Sequence, residues 1–232
     1  MTPSLRRFTC AVAAAGLMAG VAFAHGGGPS GGGGPMPSAS GSARPEDIAK
    51  SAYNAGVHSI KKAQDSDAEA AKAGTPQKSA KAVEKAQKFY RKAAEQFVDA
   101  VGADPSMYQA WNYLGFAKRH LGDYEDSLGA YAKALELNPN YPDAIEYRGE
   151  AYLGLNKLDA AKEAYMSLFR DSRPLADELM ASMQRWTEAR RQDAQGVSSE
   201  EIEAFAKWLN ERAGVAAQTA SLGLGAPPAD WR

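Results

Sequence analysis

The chain has 232 residues, with 27 lysines and arginines against 28 aspartates and glutamates, and its formal net charge is −1. This balance lacks the basic surplus that is typical of proteins that bind nucleic acid or anionic membranes. The single cysteine, Cys10, lies near the start, so the rest of the chain offers neither a disulfide nor thiol chemistry. We therefore expect a protein that is stabilised by packing alone.

The first 24 residues have the features of a cleaved secretory signal peptide. Arg6 and Arg7 supply the positive start, and Ala22 and Ala24 are small residues suited to a cleavage site. The uncharged apolar run at 11–24 has 14 residues, fewer than the roughly 20 that a membrane-spanning helix needs. We predict export to the bacterial periplasm with no membrane insertion after cleavage, which would leave a mature chain of net charge −3.

Residues 25–44 are rich in glycine, proline and serine, and we predict a flexible, disordered tether there because they bury too little apolar surface to become ordered. A long helix is predicted from Pro45 to Lys72, because a proline followed by two acids suits a helix N-terminus. A break at Gly74-Thr75-Pro76 separates it from a second long helix over about 77–102.

Four shorter helices follow, which are predicted at Tyr108–Leu121, Tyr124–Leu137, Asp143–Leu155 and Leu158–Arg170. Apolar residues from Leu175 to Trp186 predict another helix, and Ser198 with Glu201 forms a capping box that begins the last one. No segment has the alternation typical of a strand, so we predict an all-α protein. Residues 214–232 are predicted to be a flexible tail.

A 34-residue period runs through the middle of the chain. Phe97, Tyr131 and Tyr165 lie at this spacing, and Gly115 recurs at the same interval as Gly149. Such a period indicates stacked repeats, in which each unit buries its apolar face against the next.

Residues 106–139 resemble a tetratricopeptide repeat. The matching residues, in the order of that family's pattern, are Trp111, Leu114, Gly115, Tyr131, Ala134 and Pro139. Residues 140–174 match it through Gly149, Tyr152, Ala161 and Tyr165, and residues 45–105 match it in part. The resemblance implies an α-α superhelix of about three helical hairpins over 45–174, with C-terminal capping helices over 175–213.

The first of these units is longer than the repeat. Gly56 resembles the glycine of the repeat pattern, but it precedes Gly115 by 59 residues, which is 25 more than the period. We interpret residues 64–88 as an extension of two helices that join at Gly74-Thr75-Pro76.

In this family the first helix of each unit lines a concave groove that receives a partner segment. The resemblance implies that the partner-binding residues are Tyr53, Asn112, Phe116, Arg119, His120, Glu146 and Glu150. Phe116 is expected to be an apolar anchor, Asn112 to hold a peptide backbone, and Arg119 to pair with an acidic partner. The alternatives are that Phe116 packs on a neighbouring helix and that the two polar residues lie on a solvated face.

Catalytic and metal sites are not indicated, because none of the 3 histidines has metal-ligand spacing and no nucleophile motif or phosphate loop occurs. We expect no cofactor and no enzymatic activity, but a non-catalytic adaptor or assembly factor that binds a protein or peptide and no nucleic acid. One alternative is an oligomerising envelope protein that uses its long N-terminal helices. Another is weak copper binding through His25, the first residue after cleavage.

Overall fold

A computed structural model describes residues 44–221, and every element in this range is an α-helix. The helices are α1 (Pro45–Lys72), α2 (Pro76–Ala103), α3 (Tyr108–Leu121), α4 (Tyr124–Leu137), α5 (Pro142–Gly154), α6 (Leu158–Asp171), α7 (Arg173–Gln192) and α8 (Ser199–Ser221). The all-α prediction is confirmed, and the helix bounds between residues 45 and 171 agree with the predicted ones to within one residue. The predicted signal peptide and tether, to residue 43, and residues 222–232 lie outside the described range.

Local sequence explains where the helices begin and end. Pro45 opens α1, and Gly122 ends α3 with a φ of 86°, a left-handed conformation that glycine adopts without steric cost. The capping box at α8 is present: the Glu201 amide donates to Ser198 Oγ at 3.2 Å, and the Ser198 amide donates to Glu201 Oε2 at 2.9 Å.

The last helix runs beyond its predicted end, so the prediction of a flexible tail from residue 214 is wrong as far as Ser221. The segment after Gly214 is rich in alanine, the best helix former, and this composition outweighs the single glycine. Arg173 at the start of α7 also donates to Thr219 Oγ1 at 3.3 Å, which ties the end of α8 to the rest of the fold.

Each helix packs on the next in chain order, and the first helices of the units also contact one another, α1 with α3 and α3 with α5. We call the surface formed by α1, α3 and α5 the first-helix face. Helix α7 continues it by packing on α5. The pairs α1–α2, α3–α4 and α5–α6 are the three helical hairpins that the period predicted.

The extended first unit packs as a true repeat. A Cβ atom added to Gly115 would lie 2.6 Å from the ring of Tyr131, and one added to Gly56 would lie 2.6 Å from the ring of Phe97. The two glycines therefore hold equivalent places, although 41 residues separate Gly56 from Phe97 and only 16 separate Gly115 from Tyr131. The difference equals the 25-residue excess, residues 64–88, which lengthens both helices of the hairpin at the end where they join.

Contacts between units repeat in the same way. The ring of Phe97 stacks on Tyr113 at 5.5 Å, and 34 residues later Tyr131 packs on Tyr147 at 6.4 Å. Tyr90 of the first unit lies against His120 of the second, with ring centroids 4.4 Å apart. Thirty-four residues on, Tyr124 lies against Gly154.

In the inserted part of the hairpin, residues 64–88, small side chains pack between the two helices. Helices α1 and α2 each have 28 residues, twice the 14 of α3 and α4, so the hairpin extends about 20 Å farther than its neighbour. The buried residues of this part are Ser66, Ala70, Ser79, Ala82 and Ala86. Ser79 Oγ donates to the Ala70 carbonyl at 3.1 Å across the seam.

The last two helices cover the end of the stack. Trp208 of α8 packs on Tyr165 of α6 at 5.5 Å, and Trp186 of α7 packs on Phe205 at 5.4 Å. The indole of Trp186 donates to the Leu153 carbonyl at 2.8 Å, so this buried polar group is satisfied. These helices thus act as the predicted C-terminal cap.

Candidate partner-binding face

Three of the predicted site residues hold one repeat position on the first-helix face. Tyr53, Asn112 and Glu146 each precede the glycine of their unit by three residues. They lie on α1, α3 and α5, which contact one another in that order. The prediction placed them on the intended helices, but their burial differs.

Half-buried tyrosines run across this face, and we call them the tyrosine row: Tyr53, Tyr108, Tyr113, Tyr141 and Tyr147. The ring of Tyr53 lies 5.9 Å from that of Tyr113, and the ring of Tyr108 lies 5.0 Å from that of Tyr141, so both pairs join residues of different units. The predicted site contained only Tyr53. The sequence could have predicted Tyr113 and Tyr147 as part of the site, because each directly follows the predicted residue of its unit, Asn112 or Glu146.

Phe116 is not an exposed anchor, and that prediction is wrong. Its residue is 6% exposed, and its ring lies 5.0 Å from Tyr147, 6.3 Å from Tyr90 and 4.4 Å from His120. Three helices thus enclose the side chain, which favours the alternative that Phe116 packs on its neighbours. An aromatic side chain surrounded by other rings gains more from this burial than from solvent exposure.

His120 also has a packing role. Its ring stacks on Tyr90 at an interplanar angle of 15° and contacts Phe116, at the position where the next unit has Gly154 against Tyr124. Although His120 is an exposed residue, its ring contacts Tyr90 and Phe116, and this local desolvation together with the positive charge of Arg119 lowers the pKa of His120. The imidazole is therefore neutral at physiological pH and cannot attract an acidic partner by charge.

Arg119 and Glu150 are engaged with each other. Arg119 Nη1 lies 2.6 Å from Glu150 Oε2, with the side chains only 14% and 20% exposed. Ser182 Oγ donates to Glu150 Oε1, and Arg185 Nη2 donates to Ser182 Oγ at 2.9 Å. We call these four residues the polar bridge, because they link α3, α5 and α7.

The polar bridge corrects two predictions. Arg119 is not free to pair with an acidic partner, since its charge is balanced by Glu150 and its guanidinium lies 5.3 Å from the ring of Phe116. Glu150 is likewise committed to Arg119 and Ser182. Both residues hold the first helices together. The repeat pattern could not predict that Ser182 of α7 binds Glu150, because α7 lies outside the 34-residue period.

Asn112 and Glu146 are buried polar residues, and Asn112 has an acceptor without a partner within residues 44–221. Asn112 is 1% exposed, so it is not on a solvated face; its Nδ2 donates to the Tyr141 hydroxyl at 3.4 Å, whereas its Oδ1 has no partner among the described residues. Glu146 is 3% exposed. Burial and the nearby Glu150 raise the pKa of Glu146 to about 8, against the opposing charge of Arg119.

Within residues 44–221, no group of three or more histidine, cysteine, aspartate or glutamate side chains could hold a metal ion. In the same range no helix is long and apolar enough to span a membrane.

Comparison with known proteins finds matches to tetratricopeptide repeats in the middle of the chain. Two family models, each described as a tetratricopeptide repeat, match residues 78–144 and 130–163. A heat shock protein sti1 homolog of Schizosaccharomyces pombe is 32% identical over 78 residues, which are 34% of this chain and 13% of that protein. The matches begin within α2, and the packing of Gly56 on Phe97 adds α1 to the repeat array. The chain contains tetratricopeptide repeats over residues 78–163.

Proposed function

We propose that this protein is a non-catalytic adaptor or assembly factor of the bacterial periplasm, which binds a segment of a partner protein along its first-helix face. Tetratricopeptide repeats generally mediate interactions between proteins, and this supports the coarser part of the proposal. The observation that supports binding along the first-helix face is the tyrosine row.

Tyrosine is well suited to such a face. Its large, rigid ring supplies contact area at a small cost in conformational entropy, and its hydroxyl both donates and accepts hydrogen bonds. In this chain the rings are held by one another, as Tyr53 is by Tyr113 and Tyr108 by Tyr141, while part of each side chain stays accessible. A partner segment would therefore meet a surface that is already ordered, which lowers the cost of binding.

The pattern of residues 1–24, which resembles a signal peptide, supports the proposed periplasmic location. We expect the mature chain to begin at His25. Mass spectrometry of the protein from the periplasmic fraction of its native host tests this, and a chain that retains residues 1–24 would contradict it.

Site-specific photocrosslinking tests the binding face. A photoreactive phenylalanine analogue at Tyr113 or Tyr147 should crosslink a partner in the native cell envelope. The same analogue at Val98 or Met166, exposed positions on α2 and α6, should not. Equal crosslinking at all four positions would show that the first-helix face has no special role.

A second candidate is an oligomerising structural protein of the envelope that uses α1 and α2. It is favoured by the exposed apolar residues Ile48, Val83 and Val98 on the extended hairpin. Light scattering after size exclusion distinguishes the two functions. A stable oligomer that disappears when residues 64–88 are removed would favour this candidate, whereas a monomer in both forms would exclude it.

A further inference from the structure

We propose that the extended hairpin binds the surface of an anionic lipid bilayer through a row of lysines on α2. We call this row the lysine stripe: Lys78, Lys81, Lys85, Lys88 and Lys92. The proposal goes beyond the proposed function, because it concerns a lipid surface and the second helix of a hairpin, whereas the proposed function concerns a protein segment and the first-helix face.

The spacing of the stripe places its lysines on one side of α2. They follow one another at steps of 3, 4, 3 and 4 residues, and residues at these steps are neighbours on the surface of an α-helix. All of them are exposed, whereas the buried side of the same stretch is formed by Ser79, Ala82, Ala86, Tyr90 and Ala93. The charges therefore form a straight row about 21 Å long.

Most of the charge in the stripe is not balanced by acids. Lys85 pairs with Glu69 of α1 at 3.1 Å, and the other lysines of the stripe form no ion pair with any residue from 44 to 221. Residues 61–92 hold nine basic side chains and four acidic ones, which are Asp65, Asp67, Glu69 and Glu84. The net charge of this region is thus +5 against −1 for the whole chain, so the nearly neutral total hides a local basic surplus.

The stripe faces away from the other repeats. Helix α2 packs on α1 and α3, and its Tyr90 contacts His120 of α3. Tyr90 lies about 140–160° around the helix axis from the nearest lysines of the stripe. At the spacing of the stripe the next residues are Glu95 and Asp99, so the positive row ends before the part of α2 that Phe97 locks to the second unit. A flat surface can therefore reach the stripe without meeting the later helices.

Lysine suits a diffuse negative surface. Its ammonium group is a compact charge on a flexible stem, whereas the planar fork of arginine is the group that recognises single carboxylates and phosphates. A cluster of about four to eight basic residues on a helix is typical of binding to anionic lipids. The apolar side of α2 is packed within the fold, so the contact would join lysines to lipid head groups without insertion of the helix.

Other partners fit the stripe less well. Proteins that bind single-stranded nucleic acid combine basic side chains with rings on which bases stack, but Tyr90 is buried, and the half-buried ring of Phe89 already has Lys62 Nζ 5.7 Å from its centroid. A protein segment is held in part by apolar contacts, and the stripe consists of charged side chains. A second copy of this chain would bring the same positive charges to the contact.

Binding to lipid vesicles tests the proposal. The whole protein is floated with vesicles of phosphatidylcholine alone or of equal parts of phosphatidylcholine and phosphatidylglycerol. We expect tighter binding to the anionic vesicles at low salt, and no difference at about 1 M salt, where the Debye length is about 3 Å. The apolar run at 11–24 can also bind lipid, and the phosphatidylcholine vesicles measure that contribution.

A variant of the stripe and a matched control locate the binding. Lys78→Gln, Lys81→Gln and Lys88→Gln together remove three charges that pair with no residue from 44 to 221, and they should weaken binding to the anionic vesicles by about 100-fold. The control removes three exposed lysine charges elsewhere in the fold and should weaken binding by less than about threefold. Its substitutions are Lys133→Gln, Lys157→Gln and Lys207→Gln. Circular dichroism of both variants confirms that they are folded.

Four results would overturn the proposal. They are equal binding to the two kinds of vesicle, unchanged binding by the folded stripe variant, equal weakening by the control, and tighter binding to duplex DNA or polyglutamate than to the anionic vesicles. The last result would make the stripe a site for another polyanion. None of the four bears on the proposed function, which is tested by the crosslinks at Tyr113 and Tyr147.

Discussion

Two glycines in the second unit have opposite environments. Gly115 faces the ring of Tyr131, which a Cβ atom would meet at 2.6 Å, whereas nothing lies within 4 Å of a Cβ atom on Gly129. We expect Gly115→Ala to destabilise the protein by about 1–3 kcal/mol through overpacking. Gly129→Ala should stabilise it by up to about 1 kcal/mol, because alanine favours the helix interior. Urea unfolding measures both, and shifts of the same sign would contradict the packing described.

The polar bridge gives a second prediction at the level of single residues. Arg119→Ala leaves Glu150 buried without its counter-charge, and we expect a loss of about 3–5 kcal/mol in the free energy of unfolding. Lys133→Ala breaks an ion pair with Glu136 that is mostly exposed and should change stability by less than about 1 kcal/mol. A small effect of Arg119→Ala would instead favour a free, partner-directed arginine.

These residues also show what the sequence could and could not predict. The 34-residue period placed Asn112, Phe116 and Arg119 on the correct helix, because helical spacing fixes which positions share a face. It did not predict their burial. Phe116 is covered from α2 and α5, and Arg119 is paired through a network that reaches Ser182 in the aperiodic α7. Side chains of neighbouring helices determine whether such a residue is buried, and the repeat pattern does not specify those side chains.

At the level of elements, the first hairpin should tolerate shortening to the length of an ordinary repeat. Relative to the second unit, Ala63 and Phe89 hold the places of Gly122 and Asp123. We predict that removing residues 64–88, with Ala63→Gly and Phe89→Asp to form the turn, leaves a protein that unfolds in one cooperative transition. The contacts of Phe97 with Gly56 and of Tyr90 with His120 lie outside the removed part.

Circular dichroism and thermal unfolding of this shortened protein check the prediction. Helical signal should fall in proportion to the residues removed, and the midpoint should fall because the buried seam of alanine and serine is lost. A broad or multi-step transition would show instead that the inserted part is needed to hold α1 against the second unit.

Helix α8 shows the limit of local signals at this level. Its start was predictable because Ser198 and Glu201 form a capping box within four residues of sequence. Its end was not, because Gly214 suggested a break that the following alanines and the contact of Thr219 with Arg173 override. Tertiary contact decides a helix end when local propensity is divided.

For the whole molecule, we predict that stability falls as the pH rises from about 6.5 to about 8.5. The raised pKa of Glu146 means that the folded protein holds a proton in this range that the unfolded chain has lost, so rising pH favours unfolding. We expect a loss of about 1–2 kcal/mol. His120 acts in the opposite direction: because its pKa is lowered, its contribution is lost as the pH falls below about 6.5, where the contribution of Glu146 is still increasing.

Thermal midpoints of the unmodified protein and of Glu146→Gln, measured across this range, separate the two effects. The variant should lose the decline above about pH 6.5, and its stability should fall more steeply than that of the unmodified protein below about pH 6.5, because Glu146 no longer offsets His120. If the stability of Glu146→Gln still falls above about pH 6.5, the proton that the folded protein holds in this range belongs to a group other than Glu146.

The extended hairpin has a consequence for how the molecule opens. Its distal half is held by contacts between helices that are consecutive in the chain, such as Ser79 with Ala70 and Lys85 with Glu69. The proximal half is locked between units by Phe97 and Tyr113. The hairpin can therefore unzip from its tip at Gly74 without disturbing the repeats. Amide hydrogens should exchange fastest near the tip and progressively more slowly toward Phe97, so that this one hairpin carries a gradient of local stability from end to end.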